Sequence, residues 1–197
     1  MEKKTIVFIG APGAGKGSRI EECVKFGYTP ISSGNLLRNA GFDLSSGKLI
    51  EDGIVVSLVK DAIEKTEGNI ILDGFPRNIS QAEELVKQSI KVDKIIYIKI
   101  SQEEAVKRAV NRLICPNCYA VYTKTAYKPP IREGICDLCG EALIQRSDDN
   151  EETVRRRFSI FEDLTFKVID FYKSIGIEID VFDAETDADE KILSMIL

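Results

Sequence analysis

The chain has 197 residues, 44% hydrophobic and 30% charged, with a formal net charge of −5. This length supports one substantial core plus an insertion, and the composition excludes disordered and fibrous classes. The acidic balance argues against a general nucleic-acid binder, whose affinity rests on many Lys and Arg contacts to phosphate, and no apolar run reaches the about eighteen residues needed to cross a bilayer.

In chain order, the first element is an apolar strand at Thr5–Ile9, too short for a signal peptide and without a cleavage-like site, so a cytoplasmic location and no membrane partner are expected. It runs into Gly10-Ala11-Pro12-Gly13-Ala14-Gly15-Lys16-Gly17-Ser18. A glycine, four residues and Gly-Lys between a strand and a helix form a P-loop, whose backbone amides and helix N-terminus cradle phosphate. Lys16 is expected on the β- and γ-phosphates of a nucleoside triphosphate. Gly17 stands where the general pattern has Ser or Thr, and the hydroxyl comes one residue later, at Ser18. Cys23, alone in the following helix, reads as a small buried apolar residue.

Further strands are expected at Pro30–Ser32, Asn69–Leu72, Lys94–Ile100 and Ile177–Phe182, rich in Ile and Val as strands covered on both faces require. Helices are expected at Asp52–Lys65, from the Ser101 capping box to about Arg112, and over Glu151–Ile175. In the last, Val154, Phe158, Phe161, Leu164 and Val168 recur at helical spacing as a core face. The alternation predicts an α/β fold, a P-loop three-layer arrangement with a central parallel sheet flanked by helices. Asp73 closes the third apolar strand, where a P-loop protein keeps the acid that holds magnesium or its water shell.

Residues 114–145 break the pattern. They carry Cys115-Pro116-Asn117-Cys118 and Cys136-Asp137-Leu138-Cys139, seventeen residues apart, a spacing suited to a tetrahedral four-cysteine zinc site. With all four positions filled by protein, the zinc would be structural and would stand in for a core that so short a segment lacks. Two disulfides, disfavoured in a reducing compartment, or an iron centre are the alternatives.

The chain has no histidine, so no mechanism can use the commonest general base. Asp73-Gly74-Phe75-Pro76-Arg77, together with the Gly-Lys-Gly order of the loop, resembles the adenylate kinase family, a likeness extending from Ile6 to about Phe182. The resemblance implies transfer of the terminal phosphate of ATP to AMP, with magnesium as cofactor. It assigns Gly13, Ala14, Gly15, Lys16, Gly17 and Ser18 to the ATP phosphates, and Arg108, Arg112, Val121, Tyr122 and Thr186 to the rest of the ATP site. The turn at Asp183–Thr186 departs from the family's glycine-containing form. The AMP site would comprise Ser33, Arg38, Lys48, Leu49, Ile50, Gly74, Phe75, Pro76, Arg77, Gln81, Arg146 and Arg157, with Ser33 and Gln81 facing the base. Ser18 and Asp73 would serve the magnesium shell.

The catalytic set implied is Lys16, Arg77, Arg112, Arg146 and Arg157, cations that stabilise a transferring phosphoryl group without exchanging a proton. Arg108 and Arg112, four apart, are expected on one helix face. The domain reading is a core of 1–32, 61–113 and 146–197, an acceptor-binding segment at 33–60 and a zinc-binding lid at 114–145. Only eight residues separate Arg38 from Gly47, fewer than in many bacterial members, so a small acceptor lid is expected. A monomer is expected. A kinase of the same fold acting on UMP or CMP is the first alternative, and a nucleic-acid-binding zinc-ribbon protein with a nucleotide switch is the second. The acidic charge and the lack of a basic, aromatic stripe speak against the latter.

Overall fold

A computed structural model describes residues 3–44, 50–125 and 128–196. Strand β1 (Thr5–Gly10) leads into helix α1 (Lys16–Val24), followed by β2 (Tyr28–Ser32), α2 (Ser33–Asn39), α3 (Asp52–Lys65), β3 (Asn69–Asp73) and α4 (Ile79–Lys87). Then come β4 (Lys94–Lys99), α5 (Gln102–Val110), a hairpin of β5 (Arg112–Ile114) and β6 (Val121–Thr123), α6 (Glu151–Ile160), α7 (Phe166–Ser174), β7 (Glu178–Asp183) and α8 (Lys191–Ile196).

Five strands form one parallel sheet in the order β2-β3-β1-β4-β7. Its centre is dry: Val7 and Phe8 of β1, Ile70, Ile71 and Leu72 of β3, and Ile95, Ile96 and Ile98 of β4 have no exposed surface. Burying each such side chain contributes roughly 1.5–3 kcal/mol, which makes the β-branched runs legible as strands. The connection from β1 runs towards β2 and that from β4 towards β7 on the other side, opening a crevice at the carboxyl ends of the strands. Open parallel sheets bind ligands there.

Strand boundaries differ from expectation by a residue or two, as at β2, which begins at Tyr28 because the Tyr28 hydroxyl is anchored on the Ile196 carbonyl at 3.1 Å. Three larger corrections concern helices. The expected helix to Arg112 ends at Val110, and Arg112 instead opens β5 opposite Thr123, so Arg108 and Arg112 do not share a helix face. The Ser101 capping box is half formed: its Oγ accepts from Glu104 N at 3.4 Å, but the Glu104 carboxylate is engaged by Arg108 and Lys107. The Ser101 amide donates to Glu185 Oε1 at 2.7 Å instead. The expected helix 151–175 is interrupted by a π-helical turn at Phe161–Thr165. The wider turn goes with a side-chain bond, in which the Thr165 hydroxyl donates to the Arg77 carbonyl at 3.0 Å. Phe161 meanwhile packs among Tyr97, Phe158 and Phe166.

Candidate active site

The glycine loop fills the crevice because side chains are excluded from it. Gly13 and Gly15 have φ of +83° and +80°, and a Cβ on Gly13 would lie 2.1 Å from the Ala105 carbonyl oxygen of α5. The chain then enters α1, whose first residue is Lys16. Its ammonium is folded back onto the loop, donating to the carbonyls of Gly10 at 2.7 Å and Ala11 at 3.3 Å. Desolvation pushes its pKa from 10.5 down to about 8; Asp73 opposes the shift and the guanidinium groups of Arg77, Arg157 and Arg112 add to it. A lysine so depressed is waiting for an anion. Asp73 ends β3 between Phe8 and Ser32 of the flanking strands, and its Oδ1 is buried without a hydrogen-bond partner. An acceptor-only oxygen left orphaned beside a phosphate cradle fits the water shell of a cation. Ser18 lies in the first turn of α1, partly exposed.

Above the cradle the arginines converge with two acids. Asp148 and Asp149 precede α6 and are 3% and 2% exposed. Asp149 holds Arg112 through two bonds, from Nε at 2.8 Å and from Nη2. Asp148 accepts from Arg157 at 2.5 Å and lies 3.6 Å from Arg38. Burial alone would lower the pKa of Arg112, but its pairing with Asp149, together with the charges of Asp148 and Asp73, outweighs that and raises it. Arg157 is lowered by burial despite Asp148. Arg77 and Arg146 are both pushed down to about 10, by burial first and then by neighbouring guanidinium groups, chiefly Arg157 for the former and Arg112 for the latter. Arg146 Nε is buried and unpartnered. Positive charge here exceeds what the three acids neutralise, the electrostatic signature of a site built for polyanions.

Beside this cluster lies a pocket lined by Ser33, Gly34, Leu37, Arg38, Leu44, Ile50, Val55, Arg77, Gln81 and Arg157. The Ser33 hydroxyl donates to the Gly74 carbonyl at 2.7 Å; Gly74 is left-handed at φ of +69°, and a Cβ there would stand 3.2 Å from Arg77 Nη2 and 3.3 Å from Ser33 Oγ, crowding both. Phe75 is 1% exposed and joined to Pro76 by a cis peptide. Arg77 is fixed by its own backbone: its amide donates to Gln81 Oε1 at 2.8 Å, its carbonyl accepts from Thr165, and its Nε donates to Gly74 O at 2.7 Å. Lys48 and Leu49 lie outside the described residues.

Residues 112–123 and the adjoining bridges Ile114↔Ile144 and Ile135↔Ala142 build the inserted segment over the loop. A Cβ on Gly17 would lie 3.8 Å from Val121 Cγ2, so the Val121 side chain packs near the start of α1. Tyr122 turns the other way. It is 4% exposed, its hydroxyl accepts from Asp137 N at 2.9 Å and lies 3.5 Å from Cys136 Sγ, so its ring serves the insertion itself. Arg108 reaches the rim of the cradle from α5 and donates to the Ala184 carbonyl at 2.9 Å, which ties the turn containing exposed Thr186 to the same edge.

The sulfur atoms of Cys115, Cys118, Cys136 and Cys139 all lie within 4.8 Å of one another, with separations of 3.4, 3.5 and 3.7 Å for three of the pairs. Four thiolates around a tetrahedral ion with metal–sulfur bonds of ~2.3 Å would stand about 3.8 Å apart, so the cluster fits a single metal ion and is not two disulfides. Each pair sits in the same kind of turn. Tyr119 N donates to Cys115 O at 3.0 Å and Gly140 N to Cys136 O at 2.9 Å, with the residue after the second cysteine left-handed in both, at φ of 62° and 75°.

Several contributors were missed from sequence. Arg19, 4% exposed, donates to Gly15 O at 3.1 Å and Asp189 at 2.8 Å and stacks over Phe182 at 4.7 Å, bracing the loop from below. Its only sequence signal was a charge on the buried face of α1. Leu37 and Val55 line the pocket from the apolar faces of α2 and α3, a signal indistinguishable from ordinary core. Thr165 and Asp52 act on Arg77 and Gln81 across the fold, without any local pattern.

A phosphate cradle facing a second pocket, with one set of guanidinium groups shared between them, defines a P-loop phosphotransferase working between two nucleotides. The sequence profile of the family described as adenylate kinase matches residues 8–177. An adenylate kinase of Archaeoglobus fulgidus is 41% identical over 196 residues, 89% of each chain. One of Caldicellulosiruptor bescii is 39% identical over 202 residues, 93% of this chain and 94% of the relative, and one of Pseudothermotoga lettingae is 39% identical over 194 residues, 89% of each. The chain belongs to the adenylate kinase family.

Proposed function

We propose that the chain reversibly transfers the terminal phosphate of ATP to AMP, giving two ADP, and that the residues assembled above divide the work. The observation that carries this reading is the convergence of Arg38, Arg77, Arg112, Arg146 and Arg157, from separate elements, on the space between Lys16 and the pocket at Ser33. ATP lies along Gly13 to Ser18, with Lys16 exchanging the Gly10 and Ala11 carbonyls for the β- and γ-phosphates, and with Arg108, Val121, the Tyr122 backbone and Thr186 bordering the nucleoside. Ser33, Ile50, Gly74, Phe75, Pro76 and Gln81 frame the acceptor base, together with Lys48 and Leu49, and Arg38 and Arg77 hold its phosphate.

Arg112, Arg146 and Arg157 then face the transferring group, whose charge spreads over its equatorial oxygens. No residue has to move a proton, since the acceptor phosphate is already an anion. Asp73 Oδ1 and Ser18 fit the water shell of magnesium, which would neutralise phosphate charge when bound with ATP. In the insertion, the four thiols hold a structural zinc. Residues 114–145 act as the lid that excludes water from the transfer, and residues 33–60 act as the acceptor-binding segment. We take the protein to be a cytoplasmic monomer without nucleic-acid or membrane partners. Among the described residues, no helix is long and apolar enough to cross a membrane.

The test is a coupled ADP-forming assay with ATP and each monophosphate in turn. AMP should be the preferred acceptor by kcat/KM; a preference for UMP or CMP would overturn the acceptor assignment, and no turnover with any of them would overturn the reaction.

A further inference from the structure

Gln81 is 2% exposed, and both ends of its amide are already engaged. Its Oε1 accepts from the Arg77 amide at 2.8 Å, and its Nε2 donates to Asp52 Oδ1 at 2.6 Å. Asp52 opens α3, on the acceptor side of the pocket, and its carboxylate also takes Asn78 Nδ2 on both oxygens, at 2.9 and 3.0 Å. Asn78 cannot turn around, because its own Oδ1 accepts from Gln81 N at 2.9 Å as the cap of α4. The chemistry of these partners dictates the amide orientation. A carboxylate only accepts and a backbone N–H only donates, so the Gln81 nitrogen must face Asp52 and its oxygen must face Arg77.

One N–H and one oxygen lone pair of Gln81 remain, in an order that cannot reverse. Adenine offers a donor at N6 beside an acceptor at N1, whereas guanine offers an acceptor at O6 beside a donor at N1. A freely turning amide could satisfy either base; one held at both ends satisfies a single order and leaves the other base with unpaired groups. We propose that Asp52, which need not touch the nucleotide, is a specificity-determining positioning residue: it locks the Gln81 amide so that the acceptor site takes adenine and rejects guanine. The proposal rests on the reading that Gln81 faces the acceptor base.

Asp52→Ala is the informative variant, because it removes the acceptor that holds Gln81 Nε2 and frees the amide to turn. Asp52→Asn is its control: an oxygen at the Oδ1 position still accepts from both Asn78 Nδ2 and Gln81 Nε2, so the lock is kept. In Asp52→Ala the AMP-to-GMP ratio of kcat/KM, with ATP as donor, should fall about threefold, less than the loss of a whole buried hydrogen bond, because the Arg77 amide still favours the native orientation. KM for ATP should hold, and in Asp52→Asn the ratio should stay near the wild-type value. A merely structural loosening of α3 would weaken AMP and GMP alike, and an unchanged ratio in Asp52→Ala would overturn the proposal. Gln81→Ala separates the two levels. If it leaves the ratio at the wild-type value, the assignment of Gln81 to the base fails; if it lowers the ratio while Asp52→Ala does not, the role of Asp52 is overturned. In the double variant Asp52→Ala/Gln81→Ala, a ratio no lower than in Gln81→Ala alone supports the proposal, and a further fall overturns it.

Discussion

In the sheet, the middles of the central strands are sealed from solvent: Ile70, Ile71 and Leu72 in succession, with Val7 and Ile95 on the neighbouring strands. In the lid, the hydrophobic cluster among the described residues is Cys115, Ala120, Tyr122 and Cys136, with Leu113 and Leu143 against it, while Ile131 and Leu138 are 93% and 76% exposed. The sheet is held by buried area, the lid by four sulfur atoms and a few backbone bonds. An insertion of that kind keeps its internal shape while having little apolar surface to glue it to the core, which suits the lid role proposed for it. Among the described residues, hydrogen bonds and ion pairs link it to the rest, among them Tyr119 to Asn39 at 2.6 Å, Lys128 to Glu21 at 2.5 Å and Gln145 Nε2 to the Val110 carbonyl at 2.9 Å.

This contrast breaks most readily at the metal. Cys136→Ser should abolish stoichiometric zinc and remove hydrogen-exchange protection from residues 112–145, since metal affinity in such a site is folding free energy, while amides of β1, β3 and β4 keep their protection. Loss of protection in the sheet as well would show that the two regions are one cooperative unit. The reciprocal change is Ile96→Ala, at the centre of the sheet. It should destabilise the whole protein by about 2–5 kcal/mol in denaturant titration with zinc content unchanged, and a milder, lid-confined effect would count against a core held by burial.

Chemistry rides on the rigid region, so Lys16→Ala should lower turnover by at least ~100-fold with zinc content and melting temperature preserved; near-normal activity in a folded variant would refute the assignment of the loop. The same lysine sharpens the picture through pH. Its folded pKa of about 8 lies below the unfolded value, so below pH 8 both states hold the proton and no slope arises. From pH 8 to about 10 the unfolded state binds more protons, and Lys16 makes the apoprotein more stable as pH rises. ATP restores a counter-charge and raises the pKa. Calorimetric titration at pH 8.5 in two buffers of different ionisation enthalpy should therefore report uptake of a large part of one proton, and zero uptake would be inconsistent with the buried ammonium.

The smallest effect is expected where the lid meets the acceptor segment. Tyr119 occupies a left-handed position that its counterpart Gly140 adopts without strain, and in that position its hydroxyl reaches Asn39. Tyr119→Phe should raise KM for AMP about threefold, the low end for an exposed hydrogen bond, leaving zinc content and KM for ATP unchanged. An unaltered KM for AMP would mean that the lid closes without this contact.

The elements readable in the sequence are those whose cause is local. A run such as Ile70-Ile71-Leu72 declares a buried strand, Gly13-Ala14-Gly15-Lys16 declares a phosphate loop, and paired cysteines at fixed spacing declare a metal turn, because the residues that need one another are close in the chain. Resemblance to a family carried the arginines, yet it could not say that Arg112 leaves the helix or that Tyr122 faces the thiols. Those outcomes, like the capture of the Ser101 amide by Glu185, the π turn that brings Thr165 to Arg77 across 88 residues, and the clamp of Asp52 on Gln81 across 29, depend on partners that only folding brings together. Apolar patterning selects which face of an element is buried, but a polar group's partner is whichever complementary group the packed backbone happens to deliver within 3 Å, and that distance is set by the whole fold.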